Sequence, residues 1–505
     1  MRKVELPGNW IWATVADLGK IVSGGTPSTK EPSYWGGNVA WISPSDLTGY
    51  STKHIAKGAK SITPKGLQSS SATIMPAGSI HFSSRAPIGY TVISACEMST
   101  NQGFKSLVPA SGVFNEYVFY YFKSAKQLAE TLATGTTFKE ISGAAFSKMP
   151  LPLPPTNEQH RIVAKIEELF SELDKGVDSL KTAREQLKVY RQALLKHAFE
   201  GKLTAQWRAE NSDKLETASA LQQRIQTERQ ERHRQQLADW ETKGKQGSKP
   251  KDPKPLPPLS AEELAELPKL PTVWGWVKYG DLCSLVRNGI SAKPEGNSGT
   301  PIFRISAVRP LFFDMTDIRH IENSTGAFNS YCLERGDIVF TRYNGSRHYV
   351  GVCAEYRSDE KRLFPDKLVQ TRTFSKLMST SYLEKALNSG PSRQFVESKI
   401  RTTAGQSGVS GEDIKNIPVP ICSPAEQRQI IEELESKLSE ADQLDQTLAT
   451  ALQQSAALRQ SILKNAFCGQ LVKQDENDEP AAVLLERIRA EKLNGMKPGK
   501  REKTS

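Results

Sequence analysis

The chain is written twice. "PLPLPPTNEQHRIV", residues 150–163, returns as "PVPICSPAEQRQII" at 418–431, and the echo runs without a gap to "LKHAFEGKL" (195–203) and "LKNAFCGQL" (463–471). About 21 of the positions so aligned are identical. A second echo opens each copy, "LPGNWIWATVADL" (6–18) and "LPTVWGWVKYGDL" (270–282), and a weaker third closes it, "TASALQQRIQTE" (217–228) and "PAAVLLERIRAE" (480–491). The order block, helix, tail thus occurs two times, a tandem duplication and not a many-repeat solenoid.

The repeated passage reads as helix. Apolar or small residues fall at Ile162, Ile166, Leu169, Leu173, Leu180, Ala183, Leu187, Tyr190 and Leu194, and again at Ile430, Leu434, Ala441, Leu444, Leu448, Ala451, Leu458 and Ile462. Steps of three and four sustained over five heptads describe a coiled-coil seam, and two copies of one seam can satisfy each other as an antiparallel pair. About 36 residues make a helix of roughly 55 Å. Prolines before each start and Gly201 or Gly469 after each end suit helix boundaries. Glu167, Glu168, Lys181, Arg184 and Arg191 are assigned to the outer face, where mixed charge suits a partner helix. A surface helix on a globular body is the plainer alternative.

The blocks ahead of the helices differ from them in kind. Short β-rich runs such as "VAWIS" (39–43) and "GYTVISA" (89–95) stand between Gly, Pro and Ser, and the second block answers with "PIFRIS" (301–306), "GDIVFTR" (336–342) and "YVGVCAEY" (349–356). Each closes on a helical patch, 115–133 and 380–398, which makes an α+β domain. Between the copies, "KGKQGSKPKDPKPLPPLS" (243–260) is an exposed linker.

At 505 residues the chain has room for two to four domains. Its net charge is +11, and the excess sits in the blocks: 14 basic against 8 acidic side chains in 1–149, and 20 against 15 in 270–416. A polyanion touched at two places accounts for that distribution. No run approaches 18 apolar residues and the start lacks the apolar core of a secretory signal. Six scattered cysteines without CxxC predict reduced thiols in the cytoplasm and argue against zinc.

Catalytic motifs are lacking. There is no GxxxxGK[ST], HExxH, GxSxG or GxGxxG after a strand, and the seven histidines have no ligand spacing. Asp366 with Glu397 and Lys399 imitates a metal nuclease set, but 380–398 reads as helix where that set needs a strand. What remains is recognition chemistry. Loops of the first block present Thr26, Ser28 and Lys30, then Arg85, then Asn101, Gln102 and Lys105, then Thr136 and Lys139. The second block presents Arg342, Tyr343, Asn344 and Arg347, then Gln370 and Arg372, then Arg401 and Gln406. Arg reads guanine and Asn or Gln reads adenine through paired hydrogen bonds, while Lys, Ser and Thr hold phosphates. Arg85, Asn101 and Gln102 are the expected base contacts of the first block; Lys30, Lys105 and Lys139 are the expected phosphate contacts. Gly24 and Gly25 are expected to make the first loop flexible.

"SGGTPSTKEPSYWGGNVAWISPSDL", "SSRAPIGY", "STNQGFKSLVP", "TGTTFKEISG" and "PLPLPPTNEQHRIV" together resemble the specificity (S) subunits of type I restriction–modification systems, over nearly the whole chain. The second block lacks SGGTP, RAPIG and STNQGF, which fits a different half-site. The resemblance implies an α+β protein with two mixed α/β target-recognition domains, joined by two long helices that pair as an antiparallel coiled coil in a pseudo-twofold tandem duplication. It divides the chain into a first target-recognition domain (1–149), a first spacer helix region (150–213) and a charged helix with Lys/Pro-rich linker (214–269). A second target-recognition domain (270–416), a second spacer helix region (417–474) and a C-terminal tail (475–505) follow. It implies a non-catalytic subunit that binds a bipartite double-stranded DNA target and carries two methyltransferase (M) subunits, which methylate adenine, and two restriction (R) subunits, which cleave. No cofactor is expected on this chain; S-adenosylmethionine serves the M subunits, and ATP with Mg the R subunits. Segments 204–216 and 472–480 are expected to adjust the separation of the two readers. A fused restriction–methylation enzyme and a coiled-coil scaffold without nucleic acid are the competing readings.

Overall fold

The computed structural model describes residues 5–135, 139–250, 252, 254–294, 298–374, 377–403 and 405–495. The chain divides into two compact units, Met1–Lys181 with Leu448–Ser505, and Thr182–Thr447. No helix of the described residues is long and apolar enough to cross a membrane.

In the first unit a five-stranded sheet runs in the order Gly19–Ser23, Phe104–Pro109, Ile80–Ser83, Thr91–Ser94, His54–Ile55. The first four strands are antiparallel and the last lies parallel to its neighbour. The helix Asn115–Ser124, sequence NEYVFYYFKS, carries apolar residues on nearly every face. It is buried accordingly, with Tyr117, Val118 and Phe122 in one core with Phe82 and Phe146. The second unit repeats the plan: Cys283–Asn288, Leu368–Thr373, Ile338–Thr341 and Cys353–Glu355 form an antiparallel sheet in that order. Helices Thr380–Leu387 and Gly390–Lys399 complete it.

Every sequence echo has a contact that explains it. The prolines form edge strands, where a missing N–H costs no ladder bond: Pro150–Leu153 pairs with Ile11–Thr14, and Pro418–Ile421 with Gly275–Lys278. Their carbonyls accept from core hydroxyls, Tyr117 on Pro152 (2.6 Å) in one unit and Tyr382 on Pro420 (3.0 Å) in the other. The Glu-Gln pair opens each long helix with buried side chains. Glu158 accepts from the indole of Trp10 (3.0 Å) and the amide of Gln474 (2.6 Å). Glu426 accepts from the indole of Trp274, the guanidinium of Arg208 and the hydroxyl of Thr204, all at 2.8 Å. Gln159 and Gln427 take the backbone N–H of Phe114 (2.8 Å) and Ser379 (2.9 Å).

The glycines after the helices sit at φ +72°, where other residues are strained. A Cβ on Gly201 would come within 2.5 Å of Pro271, and one on Gly469 within 2.3 Å of Pro7. Both prolines open the "LPxxW" echo. The tail echo caps a 3₁₀ turn. Arg229 donates to the carbonyls of Gly280 and Asp281, and Lys492 to those of Ala16 and Asp17. Within each unit, then, an α+β block is closed by the tail that follows the other copy's long helix.

The long helices run Thr156–Phe199 and Pro424–Phe467, 44 residues each, longer than expected because the Glu-Gln segment is their first turn. In the first unit Ile162 and Ile166 share a core with Ile462, Leu463 and Phe467, and Arg459 pairs with Asp174. In the second, Leu194, Ala198 and Phe199 share a core with Ile430 and Leu434, while Arg191 pairs with Asp442 (2.7 Å) and Arg184 with Asp445 (2.8 Å). Rising numbers on one helix meet falling numbers on the other, so the segments are antiparallel within each unit.

The seam differs from expectation at Leu444 and Leu458, which are 49% and 51% exposed, and at Tyr190, 44% exposed. Asp445 and Arg459, one position later, occupy the contact instead. Three of the five outer-face residues also turn inward: Arg184 and Arg191 hold the other helix, and Glu167 accepts from Lys53 and Tyr120. Glu168 and Lys181 remain exposed beside Lys165 and Asp178.

Candidate nucleic-acid interface

Antiparallel register decides where the first unit's polar motifs emerge. Ser23 pairs with Lys105, and Ser83 with Phe104. The end of strand Gly19–Ser23, the start of Phe104–Pro109 and the end of Ile80–Ser83 are therefore level, and the loops "SGGTPST", "STNQG" and "SSRAPIG" leave the sheet on one edge. A strap from the fourth motif, Lys139–Ile141, is fixed to the last of these loops, the N–H of Ile141 donating to the carbonyl of Ser84 (3.0 Å). Thr26 donates to the side chain of Gln102, and Asn101 accepts from the N–H of Gly103 (2.9 Å), fixing the turn. Glu140, on the strap, accepts from Arg85 (3.2 Å) and Ser84 (3.4 Å) and lies 3.7 Å from the ammonium of Lys105. Ser28, Lys30, Gln102 and Lys139 are exposed around this cluster.

The second unit presents the same edge with other residues. The short strand Tyr343–Asn344 pairs with Gln406–Gly408, which pairs with Arg401–Thr403, so two loops far apart in sequence form one small sheet carrying Arg342, Tyr343, Asn344, Arg401 and Gln406. The guanidinium of Arg342 lies over the Tyr343 ring at 4.8 Å. Arg347 is exposed and donates to the carbonyl of Glu397 (3.2 Å).

Residues 7–182 match the family model described as the type I restriction modification DNA specificity domain. The specificity subunit of the type I restriction enzyme EcoKI of Escherichia coli (strain K12) is 30% identical over 412 residues, 79% of this chain and 76% of that subunit. The chain belongs to the family of type I restriction enzyme specificity subunits. The StySPI specificity subunit of Salmonella potsdam aligns over the full length of both chains at 24% identity. The crystal structure of the HsdS subunit from Thermoanaerobacter tengcongensis shares the fold, with a TM-score of 0.52 at 17% identity over 93% of this chain and 99% of that one. So does a chain from a structure of type I R-M complex assembly, at 0.61 and 17% over 92% and 99%.

Within this specificity subunit several expected contacts lie elsewhere. Lys105 is 8% exposed because its strand is paired on both sides, and its ammonium reaches the Gln102 carbonyl and Glu140; it supports the loops rather than facing outward. Gln370 is fully buried, accepting from Arg287 (2.7 Å) and donating to Asp337. Arg372 binds the same Asp337 through two nitrogens (2.7 and 2.9 Å) and also Glu334 (2.8 Å). Both lie within the sheet because they continue an internal strand, whose start is the turn Pro365–Lys367. Gly24 and Gly25 are buried, not flexible. A Cβ on Gly24 would stand 1.9 Å from the Asn101 carbonyl oxygen, and one on Gly25 2.3 Å from the N of Ala72. Thr136 lies outside the described residues.

Sequence reading passed over Glu140 and Lys367, which stands in the turn level with "NQG" of the first block. Matching the two blocks by strand ends instead of by motif finds Lys367; Glu140 is found only from the distances of the folded edge. Asp366 sits in that turn and Glu397 and Lys399 on a helix. Among the described residues no three His, Cys, Asp or Glu gather as metal ligands. His81, on the central strand, is held neutral by burial, its pKa pushed down to about 3, and adds no charge to the edge.

Proposed function

We propose that this chain reads a bipartite double-stranded DNA sequence, one half-site per reader edge, and so directs adenine methylation by two M subunits and ATP-dependent cleavage by two R subunits. The observation that carries the reading is the convergence of four separate polar motifs on one sheet edge in the first unit, with a repeat-equivalent edge in the second. Family membership supports it, as does the placement of the charge excess in the two reader blocks. The reader boundaries proposed are 1–149 and 270–416, with the helical segments between them as spacer and platform. The base contacts proposed are Arg85, Asn101 and Gln102 in the first reader, and Arg342, Tyr343, Asn344, Arg401 and Gln406 in the second; Lys30, Lys139 and Arg347 meet phosphates. S-adenosylmethionine, ATP and Mg belong to the partner subunits, in the cytoplasm. The two 44-residue helices are the proposed ruler of the spacer.

The test is a methylation map of DNA from cells carrying this chain with its M subunits. Modified adenines should lie in two short constant sequences split by a gap of fixed length. Adenine methylation without a bounded sequence, or with only one constant half, overturns the reading.

A further inference from the structure

We infer that Glu140 is a positioning residue of the first reader: it orients Arg85 and neutralises Lys105, so that this edge selects sequence instead of attracting phosphate. The inference rests on the DNA-reading proposal. A carboxylate on a surface that meets a polyanion is repelled by it, and it can be retained at small cost to DNA affinity only where its own charge is taken up. Here two cations from two different structural elements take it up, Arg85 from the hairpin loop (3.2 Å) and Lys105 from the neighbouring strand (3.7 Å), with the Ser84 hydroxyl as a third partner.

Stability is not the reason for the arrangement. The side chains of Arg85 and Glu140 are 39% and 36% exposed, and exposed pairs contribute little to folding. What the pair does supply is direction. With one nitrogen of Arg85 held, the rest of the guanidinium has a fixed heading, as paired hydrogen bonds to a base edge require. With Lys105 neutralised, the edge carries less of the charge that binds every sequence alike.

The second unit supplies an independent observation. Its strap is hung in the same way, the N–H of Val409 on the carbonyl of Arg342 (3.0 Å), as Ile141 hangs on Ser84. Counting back one residue, Gly408 stands where Glu140 stands, and counting forward from Arg342, Tyr343 stands where Arg85 stands. A Cβ on Gly408 would come within 2.2 Å of the Tyr343 ring. The strap residue is thus matched to the residue it faces: a carboxylate beside a guanidinium, bare backbone beside an aromatic ring.

The experiment uses the full chain assembled with its M subunits. Binding is measured for a duplex carrying the mapped target and for one with the first half-site scrambled, across a salt series. Glu140→Gln should bind the scrambled duplex several-fold more tightly than the wild type does. Its salt dependence should steepen by about one counterion, and discrimination at the first half-site should fall about tenfold. Glu140→Asp should keep most of the discrimination, and scrambling the second half-site should cost both variants what it costs the wild type. Equal weakening on both duplexes would mean a merely structural role, and no change would mean no role; either overturns the inference. A wild-type complex that does not prefer the mapped duplex overturns the DNA-reading proposal itself, and this inference with it.

Discussion

Glu158 and Glu426 stand at the same place in the two copies, yet the same substitution should cost very different amounts. Glu426 is fully buried and holds an indole, a hydroxyl and the guanidinium of Arg208, whose side chain is 15% exposed. Glu426→Gln keeps the shape but leaves that guanidinium without a counter-charge. A hydrogen bond to a charged group contributes about 1.5–3 kcal/mol and breaking a buried pair costs about 3–5, so a loss of roughly 2–3 kcal/mol is expected with the amide oxygen still accepting. Among the described residues Glu158 directly holds an indole and an amide, and burial pushes its carboxyl above the usual range. Its folded form therefore favours the proton, a contribution fully present below the unfolded pKa and lost as pH rises through the folded one. At neutral pH the charge opposes folding, and Glu158→Gln should cost no more than about 1 kcal/mol. Because a chain of two units need not unfold in one step, the assay is hydrogen exchange on the strands each glutamate supports. Protection of Gly275–Lys278 and Pro418–Ile421 should fall by about one and a half to two powers of ten in Glu426→Gln, at about 1.4 kcal/mol per tenfold. That of Ile11–Thr14 and Pro150–Leu153 should barely move in Glu158→Gln and lose part of its pH dependence. Equal losses, or the reverse ranking, would refute the assignment.

Gly24→Ala should destabilise the first reader edge by about 1–3 kcal/mol through overpacking, erasing the first half of the methylated sequence while leaving the second. Exchanging Asp174 and Arg459 as a double charge swap should restore the helix contact that either single reversal weakens, by about 0.2–1 kcal/mol in a double-mutant cycle. Charge reversal at Arg184 and Arg191 should loosen the helix pair of the second unit, seen as faster exchange along 184–194, before it alters M-subunit retention. Replacing residues 1–148 by the corresponding block of a relative should change one half-site and keep the other and the spacer, read by methylation mapping. Segments 204–216 and 472–480 are tied down by Thr204, Arg208, Gln474 and Asp478. Seven residues added to both long helices, two turns in phase with the seam, should instead widen the gap by about three base pairs, since they add about 10 Å of helix. An unchanged gap removes the ruler.

Much of this was legible because duplication makes a sequence its own control. A feature repeated at a fixed offset is held by something both copies need, which is why the proline strands, the helix starts, the closing glycines and the tails could be singled out. Their partners could not. Nothing in "LPxxW" says that its proline meets the glycine beyond the other copy's helix, because that contact joins residues about 70 positions apart in one unit and over 450 in the other. The seam shows the limit of periodicity. Leu444 and Leu458 fit a 3-4 count, but a long helix drifts relative to a strict heptad, and the contact passed to Asp445 and Arg459. The repeated Asp174/Asp442 and Arg191/Arg459 carried the signal, which reading for apolar residues alone passes over.

The sequence by itself determined the two-copy plan, the helix-forming passages and the family, since these follow from local pattern and from motifs that stand in order along the chain. Only the tertiary structure decided which polar residues face outward. Lys105, Gln370 and Arg372 look in sequence like Arg85 and Arg401, but they fall on internal strands, where pairing on both sides turns them toward Glu140 and Asp337. Glu140 itself looks like an ordinary surface carboxylate. It acquires a role because sheet register sets the ends of three strands level and the strap then passes beside Arg85, a coincidence of distances that no local pattern contains.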